Sequence, residues 1–298
     1  KTDKMTTSFN FYSGIESPTR KFDLMNSQEW MQVVEEREWE DSREDRRDTI
    51  ANTGRPDTLP TYDWQEFVFE PAWTQSYDIS FRGGNEKSTF LISSSYYKQT
   101  GIVRNSDYQR FTLRVNSEHK LTKRITYDQK LYYYNTVNHG FPEWQWHGYY
   151  DGFFRRAVQM APIVPDYNPD GTWGNTPYSG EPSILANLDL IDRKEQHNNF
   201  SANLGLNINN IKGLNFTTLL FGYMNFGEMK EFQDTYFNTT VDRRDINKLL
   251  GSMDRYTGLT YQNLLSYDFT VANNFNFFIL AGMEVLHDWN HDISGERE

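Results

Sequence analysis

The sequence predicts an all-β fold of the large transmembrane antiparallel β-barrel type, and three observations carry that prediction. Apolar and polar residues alternate with a period of two along repeated stretches. Those stretches are longer than the strands of soluble β proteins. Short and long connections between them alternate strictly.

The alternation is clearest from Asn199 to Asn209. One face reads Phe200, Ala202, Leu204, Leu206, Ile208, and the other Ser201, Asn203, Gly205, Asn207, Asn209. A helical period would smear both sets around a cylinder. From Tyr108 to Asn116, Phe111, Leu113 and Val115 oppose Arg110, Thr112, Arg114 and Asn116. Similar faces occur at Phe9 and Phe11, at Tyr77, Ile79 and Phe81, at Leu265 to Val271 and at Phe275 to Val285. Thr217 to Asn225 alternates poorly and is read as a strand by its neighbours.

The expected spans are 4–13, 74–83, 87–98, 108–119, 124–136, 198–211, 213–227, 257–271 and 273–289. Most exceed the roughly 9–11 residues that a tilted strand needs to cross a bilayer. Tight turns are expected at Gly83-Gly84-Asn85-Glu86, Leu121–Lys123, Asn210–Gly213 and Ala272–Asn274. The other connections are long: 14–73, 99–107, 137–197 and 228–256. Short periplasmic turns with long extracellular loops are the pattern of outer-membrane barrels. A secreted β-sandwich that binds carbohydrate would share the alternation, but neither the strand length nor the loop rhythm.

Composition agrees. Tyr 19, Phe 21 and Trp 8 make the chain 16% aromatic, yet its mean hydropathy is −0.79. That combination suits sheets with one wet face. A net charge of −11 argues against a phosphate backbone, so no nucleic acid is expected as partner. There is no cysteine, hence no disulfide or thiolate chemistry. No run approaches 18 apolar residues, so strands must do any crossing. Lys1 to Asn10 lacks the apolar core of an export signal, and the start of the whole protein is expected upstream.

Several runs resemble one family. KFDLMNSQEWM (Lys21 to Met31), DWQEFVF (Asp63 to Phe69), GGNEK (Gly83 to Lys87) and KQTGIVRNSDYQR (Lys98 to Arg110) are similar to segments of the SusC-like (SusC/RagA) TonB-dependent outer-membrane transporters. APIVPDYNPDGTWGN (Ala161 to Asn175), EPSILA (Glu181 to Ala186) and IKGLNFTT (Ile211 to Thr218) continue the resemblance in family order. It implies that residues 1–298 form the N-terminal part of a barrel of roughly 22 strands, with the N-terminal plug and the remaining strands outside this chain. It also implies TonB-powered import through the outer membrane of glycan oligosaccharides or, alternatively, peptides. The implied partners are a SusD-like surface lipoprotein lid, the TonB complex and the lipid bilayer.

No catalytic or cofactor motif is present, so neither an enzyme nor a bound cofactor is expected. Among six histidines, His287 and His291 come closest to metal spacing, at a strand end where one face is not maintained. Asp166-x-Asn168-x-Asp170-Gly171 copies the first half of an EF-hand loop, but Pro177 stands where the bidentate Glu should be. The same residues also simply make turns. The charged run Glu35 to Asp48 reads as a solvated helix. The richest candidate is FPEWQWHGYYDGFF, Phe141 to Phe154. There Trp144, Trp146, Tyr149 and Tyr150 could stack on sugar rings while amides and acids bind hydroxyls. Packing of the loop on itself, or membership of an interfacial girdle, is the competing reading.

Overall fold

The computed structural model describes residues 4–41, 59–140, 153–174, 183–211, 213–240, 242–272 and 274–298. Nine strands form one antiparallel sheet in which every neighbour follows in chain order, apart from a small hairpin set aside from the sheet. They are β1 (Thr6–Glu16), β2 (Ala72–Gly84), β3 (Ser88–Thr100), β4 (Asp107–Lys120), β5 (Ile125–His139), β6 (Ile191–Ile211), β7 (Leu214–Gln233), β10 (Lys248–Val271) and β11 (Phe275–Arg297). The side hairpin pairs β8 (Tyr236–Phe237) with β9 (Arg243–Arg244).

Each expected strand is present, and the last four reach further than alternation foretold. β6, β7, β10 and β11 have 21, 20, 24 and 23 residues. Their added lengths carry Lys194, Glu228, Lys230 and Arg255 on the otherwise apolar face, so the binary pattern stops there while the hydrogen-bond ladder continues. The long connections shrink accordingly, to 140–190 and 234–247 for the last two. β11 also runs through both His287 and His291. They share a face after all, but four residue steps along the strand separate them by ~13 Å, too far to chelate one ion.

The short turns are built by their side chains. Asn85 Oδ1 accepts from the amides of Lys87 and Ser88, both at 2.9 Å. Gly84 has φ +148°, and a Cβ there would lie 2.2 Å from the Ser88 carbonyl. Thr122 Oγ1 accepts from Arg124 and Ile125 at 3.2 and 3.1 Å.

Register sorts the side chains into two faces, because residues directly opposite share a side. Phe11, Tyr77, Tyr96 and Phe111 form one aligned row across β1–β4, and Tyr133 pairs with Phe200 beyond it. All six residues expected on the apolar side, Phe111, Leu113, Val115, Leu204, Leu206 and Ile208, lie on this same face. Near the short turns Tyr267, Phe269 and Phe277 stack in sequence, with ring centroids 5.0 and 5.3 Å apart. On β7, Phe216 and Phe226 bracket the apolar belt. Ten residue steps at ~3.3 Å, tilted by ~40°, give a belt about 25 Å tall, the height of an outer-membrane apolar band between aromatic girdles.

Among the described residues, a buried apolar core lies outside the sheet. Trp64, Val68, Ala157, Ala161, Val164, Ile184, Leu185 and Leu188 are buried together at the long-loop end. They come from three short helices, α2 (Trp64–Val68), α3 (Phe153–Gln159) and α4 (Ile184–Leu190), and the loop between α3 and α4. Asp63 caps α2 by accepting from the Gln65 amide at 2.9 Å. The Trp64 indole donates to the Val164 carbonyl at 3.0 Å. Gln65 exchanges two 2.9 Å bonds with the backbone of Phe22. Helix α1 (Ser27–Asp41) starts earlier than the charged run suggested, because Asn26 and Glu29 form a capping box: Asn26 Oδ1 accepts from Gln28 and Glu29, and Glu29 Oε2 accepts from the Asn26 amide. Residues 42–48 of that run lie outside the described residues.

Candidate functional site

The face opposite the apolar belt is polar along its length. One register row crosses all nine strands: Asn10, Asp78, Ser95 and Thr112 on β1–β4, then Tyr134, Asn199, Asn225, Tyr256 and Asn290. Every member can hydrogen bond, and only Asp78 carries a formal charge. In a barrel whose other face is apolar, this face lines the lumen.

Formal charges are sorted across the same face. On β4 the Arg110 guanidinium lies 5.9 Å from the Tyr97 ring centroid, and that of Arg114 lies 5.2 Å from Tyr132. Arg114 borders a polar hollow of about 230 Å³ floored by Ser93, Ser95, Thr112 and Asp78. On β10 and β11 the same face carries Asp254, Asp288 and Asp292, with Asp254 directly opposite Asp292. Like charges opposed across a ladder are unfavourable, so this end of the wall holds a standing negative field.

Above the wall sits the loop layer, locked by buried polar contacts. Glu231 is 2% exposed and Arg193 is 6% exposed, and Arg193 Nη1 reaches Glu231 Oε2 at 2.7 Å. Gln233 donates to the other Glu231 oxygen at 2.6 Å. Asp189, next to the end of α4, gathers three groups: the Tyr167 hydroxyl at 2.9 Å, the Trp173 indole at 3.1 Å and Arg104 at 3.3 Å. The buried Asp242 accepts from the Tyr236 hydroxyl and from Asn238, both at 2.7 Å, and from the Ser183 amide at 3.3 Å. Burial, then the Asp242 carboxylate, pushes the Tyr236 hydroxyl well above the ordinary tyrosine range, against the opposing pull of Arg244. Two grooves open in this layer. One of about 640 Å³ includes Phe22, Met25, Trp30 and Tyr62, and the other, of about 600 Å³, lies between Phe22, Phe69 and Val158 with Arg20 at its rim.

Trp144, Trp146, Tyr149 and Tyr150, the residues proposed from sequence as a stacking surface, lie outside the described residues. The half EF-hand forms a turn. Asp170 Oδ1 accepts from the Thr172 amide at 3.0 Å and its hydroxyl at 2.6 Å, and those two bonds hold the Asp170 carboxyl below its usual range. The Asn168 amide donates to Thr172 at 2.9 Å, and Tyr167 pairs with Trp173 as an isolated bridge. Among the described residues no cluster of three or more His, Asp or Glu side chains is placed to hold a metal. Sequence reasoning missed the luminal tyrosines as a set. Reading the polar face of each alternating strand in register, instead of the apolar one, would have lined up Tyr132, Tyr134, Tyr223 and Tyr256.

No protein-family model matches the chain. Over 166 residues, 54% of the chain, it is 28% identical to TonB-dependent receptor P3 of Formosa agariphila, covering 16% of that receptor. Over 234 residues, 76% of the chain, it is 26% identical to TonB-dependent receptor P39 of the same organism, covering 21% of it. A 54-residue stretch, 18% of the chain, is 35% identical to TonB-dependent receptor SusC of Bacteroides thetaiotaomicron, covering 5% of that protein. In fold, 98% of the chain superimposes on a chain of the RagAB peptide transporter with a TM-score of 0.76 at 18% identity, covering 36% of that chain. The chain therefore spans well under two thirds of each relative's length. These relatives are named as receptors and transporters, none as an enzyme. With three of the family-like runs folded into one loop core and the strands into a wall with one apolar and one polar face, the chain is similar, in sequence and in fold, to a portion of the outer-membrane β-barrel of SusC-like TonB-dependent receptors.

Proposed function

We propose that the whole protein imports oligomeric nutrients across the outer membrane, foremost glycan oligosaccharides, with energy drawn through TonB. Residues 1–298 supply the first nine long strands of a barrel of roughly 22, closed around a plug by strands outside this chain. The short turns face the periplasm, and the loop layer faces outward beneath a SusD-like lipoprotein lid. The observation that carries the glycan reading is the luminal row of amides, hydroxyls and tyrosines. Neutral hydrogen-bonding groups beside aromatic faces match sugar hydroxyls and C–H faces. Trp144, Trp146, Tyr149 and Tyr150 are proposed to add a stacking surface for the same cargo.

A second reading is peptide import, favoured by the opposed Asp254 and Asp292, whose field attracts basic groups. RagAB is itself a peptide importer. Uptake measurements separate the two. Cells carrying the full-length protein are supplied with labelled neutral oligosaccharides or with labelled lysine-containing peptides, with and without functional TonB. TonB-dependent uptake of oligosaccharides supports the proposal. TonB-dependent uptake of the peptides alone replaces it with the second reading.

A further inference from the structure

We infer that the luminal wall of β6, β7 and β10 carries a distinct subsite for one ring of a neutral sugar chain, formed by Tyr223, Tyr256, Asn199 and Asn225. The inference rests on the import reading above and narrows it to particular atoms of the wall.

Its basis is a tyrosine laid flat against the sheet. Tyr223 on β7 pairs in register with Gly258 on β10, which pairs in turn with Asp288 on β11. A Cβ at Gly258 would stand 2.2 Å from Tyr223 Cε1 and 2.5 Å from Asp288 Oδ1. Only glycine leaves the floor low enough for the ring to lie across β10. The Tyr223 hydroxyl then reaches beyond that strand and donates to Asp288 Oδ1 at 3.1 Å. A ring pinned at one end by its strand and at the other by a carboxylate cannot swing into the lumen. It offers a fixed apolar face, at little entropic cost on binding.

Tyr256 extends that face. Its ring centroid lies 5.5 Å from that of Tyr223, with the planes inclined by 37°, so the two rings make a shallow trough. Beside the trough two amides oppose each other, Asn199 on β6 and Asn225 on β7. Asn225 Oδ1 is buried in the wall and has no hydrogen-bond partner among the described residues. Rotation of this amide toward a bound ring would satisfy it and offer both a donor and an acceptor, the pair that vicinal hydroxyls use.

Charge sets the class of cargo. Asp254, Asp288 and Asp292 surround the trough on its own face, and Arg255, the adjacent cation on β10, points to the opposite one. A uronate or sulfated ring would meet repulsion from these three carboxylates, and Arg114, in the same register row as Tyr223, stands three strands away on β4, so a neutral ring fits. Gly258 and Asp288 are positioning residues, and the two rings and two amides make the contacts.

The test uses the full-length transporter in detergent and fluorescent neutral oligosaccharides from partial hydrolysates of α-glucan, β-glucan, mannan and xylan. Lysine-containing peptides form a parallel arm. Asn225→Ala and Tyr256→Ala are each expected to weaken oligosaccharide binding roughly tenfold. Thr257→Ala, on the outer face of the same strand, should leave it unchanged. Tyr223→Phe keeps the ring but frees it from residue 288, and Asp288→Ala removes the acceptor, so combining the two should cost no more than either change alone. If Tyr256→Ala does not assemble, Tyr256→Leu keeps the bulk, loses the ring and should show the same weakening. Unchanged affinity in Asn225→Ala and Tyr256→Ala (or Tyr256→Leu), with binding by the wild type intact, overturns the subsite and leaves the import reading standing. Binding of peptides but of no oligosaccharide by the wild type overturns both.

Discussion

Leu204 and Asn203 are adjacent in the chain and meet different surroundings, and that difference can be measured. Leu204 lies in the apolar belt and Asn203 on the polar face. Leu204→Arg is expected to destabilise the assembled barrel by about 2–4 kcal/mol, the scale for a cation near the bilayer midplane. Asn203→Arg should cost far less, because the lumen can solvate the charge. Denaturant titration of the reconstituted full-length protein gives both values, and equal losses would remove the assignment of faces. A second residue-scale expectation concerns Tyr236. Burial and Asp242 raise its pKa in the folded state, so it binds a proton more tightly folded than unfolded. The stability it contributes is full below the ordinary tyrosine pKa of ~10 and is lost as the pH rises beyond it. Protease sensitivity of residues 234–247 should be flat from neutrality to about pH 9 and climb above pH ~10. Tyr236→Phe, which holds no ionisable hydroxyl, should abolish the climb.

Elements were legible in the sequence to different degrees, for physical reasons. The strands inside the belt announce themselves, because lipid on one side and water on the other enforce alternation, as in Phe200 to Ile208. The outer ends of β6, β7, β10 and β11 do not, since water on both sides removes the constraint while backbone pairing persists. The small helices of the loop layer were equally hidden: α2 has five residues and α3 and α4 seven each, too short for a helical period to show. Yet the family-like runs pointed to them. DWQEFVF supplies Trp64 and Val68, APIVPDYNPDGTWGN supplies Ala161 and Val164, and EPSILA supplies Ile184 and Leu185. Those runs encode the loop core rather than the lipid-facing strands. Trp64→Ala should therefore cost about 3–5 kcal/mol, the scale of a buried aromatic truncation. Its signature is loss of protease resistance in the loop layer while heat-modifiable barrel mobility on gels is retained. Loss of the barrel together with the loops would show the layer to be a prerequisite for assembly.

At the scale of the whole molecule, the candidate site divides between what alternation could reveal and what only register could. The stacking proposal for Trp144, Trp146, Tyr149 and Tyr150 came from local composition. The luminal row from Asn10 to Asn290 needs strand pairing before its members become neighbours, and the Tyr223–Gly258–Asp288 arrangement needs three strands. Single alanine changes at the four loop aromatics are expected to weaken ligand affinity several-fold at unchanged surface abundance, whereas a purely packing role would lower abundance instead. The account stands or falls on a wall with lipid on one face and a polar lumen on the other, in a chain with no native cysteine. Its most direct test is a cysteine scan of Asn199 to Leu204 in the full-length protein in outer membranes, labelled with a water-soluble maleimide. The account predicts reaction at Asn199, Ser201 and Asn203 and protection at Phe200, Ala202 and Leu204; uniform labelling, or the reverse alternation, would contradict it.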